Sequence, residues 1–366
     1  MVVGGGTPDT NNHKYWNGDI QWFTPSEIGR DKYVTNSLRT ISEEGLNKSS
    51  AKLLPIGTIL LSSRATVGEC SINKVECTTN QGFQSLIPKE YFSKEFVFYL
   101  MQTKRKELIR KSCGSTFLEI SANEVRKIKI AVPTSKEQEK ISKLLALLDE
   151  RISTQNKIIE DLKKLKYAIS KQVFVQIPNE WNRLDTLFSK GKAGGTPTST
   201  NKDYYNGDIP FLSINDITKQ GKYIKYTENH LSQSGLENSS AWIIPKYSLI
   251  MSMYASVGLV TINEIPIATS QAMFAMQLKD TNLLDYLYYY LSHFRYRHLY
   301  KYIETGTQSN INADTVRRIM IPNYGHSRNI EIASTLKSID AKIDNELSIL
   351  ELLNGQKQYL LRQMFI

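Results

Sequence analysis

The chain has 366 residues, of which 40% are hydrophobic and 22% charged, a composition that suits folded protein with more than one core and excludes a disordered chain. Its formal charge of +10 favours a polyanionic partner, nucleic acid before others, although a merely basic surface would carry the same sign. No apolar run approaches the roughly 18 residues a membrane span needs, and the opening MVVGGGTPDT has neither a basic n-region nor an apolar h-region, so no span and no secretory signal are expected and the chain is assigned to the cytoplasm.

The first feature along the chain is GGTPDTNNHKYWNGDI at Gly5 to Ile20, a Gly/Pro/Asn-rich segment that reads as loops and turns. It reappears as GGTPTSTNKDYYNGDI at Gly194 to Ile209. The pairing continues in order: GLNKSSAKLLP at Gly45 with GLENSSAWIIP at Gly235, SSRATVG ending at Gly68 with SMYASVG ending at Gly258, and GSTFLEISANEVRKIKI at Gly114 with GTQSNINADTVRRIMI at Gly306. A repeat this long is a duplicated domain with an appendage and not a solenoid unit. GTILLSSRATVG and SLIMSMYASVG predict strands of a half-buried sheet, and KEFVFYLMQTKRKELIRK and NLLDYLYYYLSHFRYRHLYKYI predict helices, so each globular part is mixed α and β. Cys70, Cys77 and Cys113 are odd in number, form no CxxC pair and are matched in the second copy by Val260, Ile267 and Thr305. Packed positions are expected at all three, and the scattered histidines offer no zinc-ligand spacing.

Each copy ends in a heptad run. In the first, Ile141, Leu145, Leu148, Ile152, Gln155, Ile159, Leu162, Lys166, Ile169 and Val173 step by four and three; in the second, Ile332, Leu336, Ile339, Ile343, Glu346, Leu350, Leu353, Lys357, Leu360 and Met364 do the same. An a/d pattern held for about five heptads predicts coiled-coil packing. Both runs carry a polar residue at 155/346 and a lysine at 166/357, and shared polar a/d positions that fix register suggest that the helices pack on each other. Forty residues of helix would make a rod of roughly 60 Å. Domain, helix, domain, helix closes simply if the helices pair antiparallel. The expected fold class is α+β: two mixed α/β domains separated by a pair of long antiparallel coiled-coil helices with approximate two-fold symmetry. A basic protein with two heads on a fixed spacer suits two separated stretches of duplex.

At this point the chain resembles the specificity subunit of type I restriction-modification systems. The residues that carry the likeness are GGTPDTNNHKYWNGDIQWFT and GGTPTSTNKDYYNGDIPFLS, SSRATVG and SMYASVG, GSTFLEISANEVRKIKIAVP with its partner, and EQEKISKLLALLDERI at the start of the first long helix. The resemblance implies target-recognition domains at 1–134 and 176–326 and conserved helical regions at 135–175 and 327–366. It also implies a bipartite, asymmetric double-stranded DNA target, two methyltransferase subunits docked on the helices and, through them, restriction subunits, with no membrane partner. S-adenosylmethionine, ATP and Mg2+ are expected on those partner subunits, and no cofactor on this chain. Residues 176–193 precede the second GGTP but only residues 1–4 the first, so a short opening segment is expected in domain one. TQSN after Gly306 is replaced by STFLE after Gly114, and the second long helix opens SRNIEIA where the first opens KEQEKIS, a weaker acidic start.

DNA-contact candidates follow from charge and from divergence between the copies. Lys104, Arg105, Lys106, Arg110 and Lys111, and Arg295, Arg297, His298 and Lys301, occupy the same late-helix region, where they could neutralise phosphates or form a solvated helix face. Arg126 and Lys127 match Arg317 and Arg318, a like pair that suits phosphate contact; Arg64 faces Tyr254, an unlike pair that suits base reading. The run Tyr286, Tyr288, Tyr289 and Tyr290 reads as core in preference to a stacking platform. The chain contains no Pro-Pro and so no adenine-methyltransferase motif, no GxxxxGK[ST] and no nuclease constellation of carboxylates, so it is expected not to be an enzyme. The alternative is a coiled-coil adaptor that does not read DNA sequence.

Overall fold

The computed structural model describes residues 1–114, 118–254, 256–297 and 310–365. The chain divides into two compact units, one made of residues 1–156 with 348–366 and the other of residues 157–347. In chain order the elements are β1 (Val2–Gly4), β2 (Trp16–Phe23), β3 (Tyr33–Val34), β4 (Arg39–Ile41), α1 (Glu43–Asn47), β5 (Ile59–Leu61), β6 (Cys70–Asn73), β7 (Cys77–Thr79), β8 (Gln84–Leu86), α2 (Lys94–Arg110), α3 (Ala122–Arg126) and α4 (Ser135–Phe174). They continue as β9 (Glu180–Arg183), β10 (Phe188–Ala193), β11 (Tyr205–Leu212), α5 (Ile214–Gln220), β12 (Tyr223–Ile224), β13 (Asn229–Leu231), α6 (Gln233–Glu237), β14 (Leu249–Ser252), β15 (Val260–Asn263), β16 (Ala268–Thr269), β17 (Met273–Leu278), α7 (Leu284–Arg297), α8 (Ala313–Arg317), β18 (Met320–Asn323) and α9 (His326–Met364).

The first unit holds a five-stranded sheet, β1-β8-β5-β6-β3, and a three-stranded sheet, β4-β2-β7; the second repeats both orders as β10-β17-β14-β15-β12 and β13-β11-β16. The central strand of each large sheet is covered on both faces, which is why ILL and LIMS read as continuous apolar runs and not as an alternation. Period two then sorts the side chains. Ile59 and Leu61 join the core against α2, while Leu60 joins Phe23 and Phe83 on the small-sheet side. Leu249 and Met251 likewise face α7, with Ile250 on the other side. Ser93 starts α2 by accepting a hydrogen bond from the Phe96 amide, and Phe96 through Met101 are buried. Tyr286, Tyr289 and Tyr290 are buried core, so none of these rings is a stacking platform.

The heptad positions expected from sequence are all buried or half-buried, from Ile141 to Val173 on α4 and from Ile332 to Met364 on α9. Within the first unit Ile141 and Leu145 of α4 share a core with Leu360, Leu361 and Phe365 of the α9 end, and the Phe365 ring sits 5.1 Å from Phe96. Within the second, Ile169, Val173 and Phe174 pack with Ile332, Ala333 and Leu336. Residue numbers rise on one helix as they fall on the other, so the pairing in each unit is antiparallel. Each unit is therefore closed by a helix segment from the other half of the chain.

The seam lysines have partners that the sequence reading did not supply. Lys357 Nζ lies 2.6 Å from Asp149 Oδ1, and the other oxygen of Asp149 accepts a 2.7 Å hydrogen bond from the Tyr99 hydroxyl, which in turn accepts one of 3.0 Å from Lys32. The second unit repeats the arrangement: Lys166 Nζ is 2.5 Å from Asp340 Oδ1, Tyr289 donates to Asp340 Oδ2 at 2.8 Å, and Lys222 donates to Tyr289 at 3.0 Å. Burial, then the neighbouring aspartate, holds the Tyr99 and Tyr289 hydroxyls far above the usual phenol range; burial also lowers Lys32 and Lys222. These clamps tie the seam to α2 and α7, the helices that cover the large sheets.

Two of the cysteines stand as the sequence reading has them, and two features depart from that reading or from a perfect duplication. Cys70 and Cys77 are buried, and burial pushes their thiols up to about 12. Cys113 is exposed, which corrects the expectation of a packed site. Its amide and carbonyl bond Glu119, 2.9 Å each way, so it is the backbone that is engaged there. In the second unit β18 pairs with β9 and Ile321 is 2% exposed; the matching Ile130 is 40% exposed, and residues 127–134 form no strand. No described element of the first unit takes the place of β9.

The clamp gives a graded stability test. Asp149→Ala strands both the Lys357 ammonium and the Tyr99 hydroxyl, and is expected to cost the first unit about 2–3 kcal/mol. Lys357→Met leaves Asp149 bonded to Tyr99 and places an apolar side chain in an apolar seam, at an expected cost of about 1 kcal/mol or less. Hydrogen exchange of amides in residues 94–110 and 135–156 measures both; equal costs, or a larger one for Lys357→Met, would contradict the clamp.

Candidate nucleic-acid interface

The most repeated residues prove to be scaffold. A Cβ on Gly5 or Gly194 would lie 2.0 Å from the carbonyl oxygen of Asn80 or Thr269, so only glycine fits, and Gly6 and Gly195 donate their amides to Thr79 and Thr269 at 2.8 and 2.9 Å. Asn17 and Asn206 take positive φ, 61° and 58°, where the small-sheet register shifts in both units. The opening repeat is thus kept by close backbone contact and by a bulge.

The unlike residues stand on a hairpin built on that scaffold. After β5 the chain turns at Ser62 to Gly68: the Gly68 amide donates to the Ser62 carbonyl at 3.1 Å, the Ser62 hydroxyl donates to the Arg64 carbonyl at 2.9 Å, and the Thr66 amide reaches the same carbonyl at 2.6 Å. Ala65 is forced to φ 57° at the tip. After β14 the Gly258 amide bonds the Ser252 carbonyl and the Ser252 hydroxyl bonds the Ser256 carbonyl, both at 2.8 Å, with Ser256 at φ 35°. Each hairpin is bridged to the strand-like chain before the next short helix: Arg64 to Glu119, with Ile120 donating to Ser63 at 3.0 Å, and Tyr254 to Asn310, with Ile311 donating to Met253 at 3.0 Å. Arg64 Nε lies 2.8 Å from Glu119 Oε1, and both side chains are over 40% exposed.

The basic candidates divide by what already holds them. On α2, Arg105 pairs with Glu69 at 3.0 Å, and Lys104 and Lys111 flank Glu107 at 4.0 and 3.6 Å. Lys106 and Arg110 are exposed and in no ion pair among the described residues. On α7, Arg295 donates to the Val257 carbonyl at 3.0 Å and so supports the hairpin; Arg297 is half-buried, and His298 and Lys301 lie outside the described residues. Arg126 and Arg317 donate to the carbonyls of Val2 and Gly191, at 3.2 and 2.9 Å, pinning α3 and α8 to the first strand of each large sheet. That internal bond accounts for their likeness. Lys127 pairs with Glu124 at 2.6 Å, and Arg318 is exposed. No group of three or more His, Cys, Asp or Glu among the described residues could hold a metal ion, and no described helix is long and apolar enough to cross a membrane.

Comparison with known proteins agrees with this geometry. The family profile described as the type I restriction modification DNA specificity domain matches residues 2–164 and again residues 178–354. The type I restriction enzyme MjaIX specificity subunit of Methanocaldococcus jannaschii is 33% identical over 242 residues, which cover 60% of this chain and 56% of that protein. The EcoR124I/EcoR124II specificity subunit of Escherichia coli is 31% identical over 166 residues, covering 43% and 40%. The chain thus matches about half the length of these relatives. Among solved structures, the type I restriction-modification S subunit from M. genitalium superposes with a TM-score of 0.56 at 16% identity, covering 98% of this chain and 99% of that one. A chain from a type I R-M system, solved to explain complex assembly and conformational transition, reaches 0.67 at 16% identity over 99% and 95%. At that identity the likeness is one of fold. With two successive profile matches spanning most of its length, and a duplicated sheet-and-helix unit beneath them, the chain belongs to the type I restriction modification DNA specificity family.

Proposed function

We propose that this chain is the non-catalytic, sequence-reading subunit of a type I restriction-modification assembly, each unit reading one half of a bipartite double-stranded DNA target and the long helices setting the spacer between the halves. The observation that carries the reading is the contrast within the duplication: contacts that build each unit are repeated, while the pair bridged at the hairpin is Arg64 with Glu119 in one and Tyr254 with Asn310 in the other. Lys106, Arg110 and Arg318 supply exposed positive charge for phosphates.

The long helices also carry apolar side chains that their mutual seam does not use. In the first unit Leu144 is 44% and Leu147 55% exposed, and Leu352 and Tyr359 are more exposed still; in the second, Ile158, Leu165 and Leu347 remain at the surface. Ile158 and Leu165, on the second unit's part of α4, stand one heptad apart, a spacing that a further helix would cover. Two methyltransferase subunits are the proposed occupants, with restriction subunits joined through them, and S-adenosylmethionine, ATP and Mg2+ bound on those partners.

The DNA reading is tested by binding to a random-sequence duplex library across a salt series. A selected site should bind about 10³-fold or more tighter than bulk duplex, with log K falling by about 0.9 per phosphate contact against log salt; equal affinity for every sequence would leave a helical adaptor. Docking is tested by Leu144→Lys combined with Leu147→Lys. The variant should fold as the parent does, because both side chains are exposed, and lose about tenfold or more in methyltransferase association. Unchanged association would place the partner elsewhere.

A further inference from the structure

The geometry points to the Arg64–Glu119 pair as the specificity-determining contact of the first unit, with guanine as the base that Arg64 reads and Tyr254–Asn310 as its counterpart for a different base. The inference rests on the DNA-reading function proposed above and deepens it to named side chains.

Several observations converge on this pair. Arg64 pairs through Nε with Glu119, which anchors the planar guanidinium beside that carboxylate. A planar fork with parallel donors matches O6 and N7 of guanine in the major groove, while a carboxylate beside it can accept from the cytosine amine. The pair stands at a hairpin tip where a non-glycine residue, Ala65, is held at φ 57° by hydrogen bonds from Ser62 and Thr66, the kind of enforced local strain found where a side chain must be aimed. The second unit repeats the hairpin closure and the bridge to the chain before α8, with its positive φ at Ser256, the residue that matches Thr66 and not Ala65, yet places Tyr254 and Asn310 at the two bridged positions. Neither residue can offer the guanidinium fork, so the second unit cannot read guanine in the same way. The other shared cations are unsuited to this role: Arg126 and Arg317 are bonded to backbone carbonyls within their own units.

The experiment is motif selection by the full chain assembled with its methyltransferase subunits, comparing the parent, Arg64→Lys, and the exchange variant Arg64→Tyr with Glu119→Asn. The exchange variant should change base preference within one block only, leaving the other block and the spacer as they were. Arg64→Lys keeps the charge and loses the fork, so it should bind the selected site about 10- to 100-fold more weakly while binding bulk duplex as before. An unchanged motif in the exchange variant, or an equal loss on all sequences for Arg64→Lys, would make Arg64 a phosphate contact and overturn the assignment alone. A parent assembly that enriches no motif would overturn the DNA-reading function and this assignment with it.

Discussion

A lysine set into an apolar helix seam has to find a carboxylate, and in this chain the carboxylate lies on the antiparallel partner helix. Lys357 meets Asp149 and Lys166 meets Asp340, each aspartate being oriented through its second oxygen by a tyrosine from the helix that covers the large sheet. A shift of one heptad along either seam would strand both charges, so the clamps fix register as well as contact. From that constraint the domain construction follows. Leu360, Leu361 and Phe365 complete a core whose sheet lies near the other end of the chain, and Phe174 closes the second core against Tyr286 and Tyr290.

Duplication on such a frame separates what must be kept from what can vary. Gly5 and Gly194 cannot accept a Cβ, and Arg126 and Arg317 hold the same carbonyl bond, so these positions are alike in both units for structural reasons. At the hairpin tips the side chain of Arg64 pairs with Glu119 near the surface, outside the sheet. Arg64 and Tyr254 can differ without disturbing the sheet beneath, which is the freedom that the proposed reading of unlike half-sites requires. The exposed leucines of the helices form a third class, shaped neither by the seam nor by the tips.

Much of this was legible in the sequence, for identifiable reasons. The repeat exposed the two units, and the step of four and three exposed the seam, because both signals depend on local periodicity. The polar positions 155/346 and 166/357 were visible as breaks, but their partners were not: Lys32 and Tyr99 lie far from Lys357 in the chain, and Tyr99 and Tyr289 sit in aromatic helices where packing alone explains a ring. Cys113 was misread because it lies past the end of α2 at an isolated bridge to Glu119, which leaves no periodic trace. The late-helix cations looked alike as sequence, and only the structure separates Arg105, paired with Glu69, from the solvent-facing Lys106 and Arg110. Ile130 and Ile321 are the same residue in the same motif, yet one is exposed and the other buried, since burial there accompanies a strand pairing that, among the described residues, only the second unit shows.

The measurement that bears most directly on the account is the methylated motif produced in cells by the complete assembly, mapped for the parent chain and for a chain lacking residues 155–161 together with 346–352. That deletion removes one heptad from each helix and leaves Asp149, Lys166, Asp340 and Lys357 in place. The account predicts two short blocks separated by unread bases of fixed number. In the deletion chain the blocks should be unchanged and the spacer shorter by about three base pairs, because seven residues of helix span about 10 Å. A single continuous motif in the parent, or an assembled deletion chain with the same spacer, would contradict it.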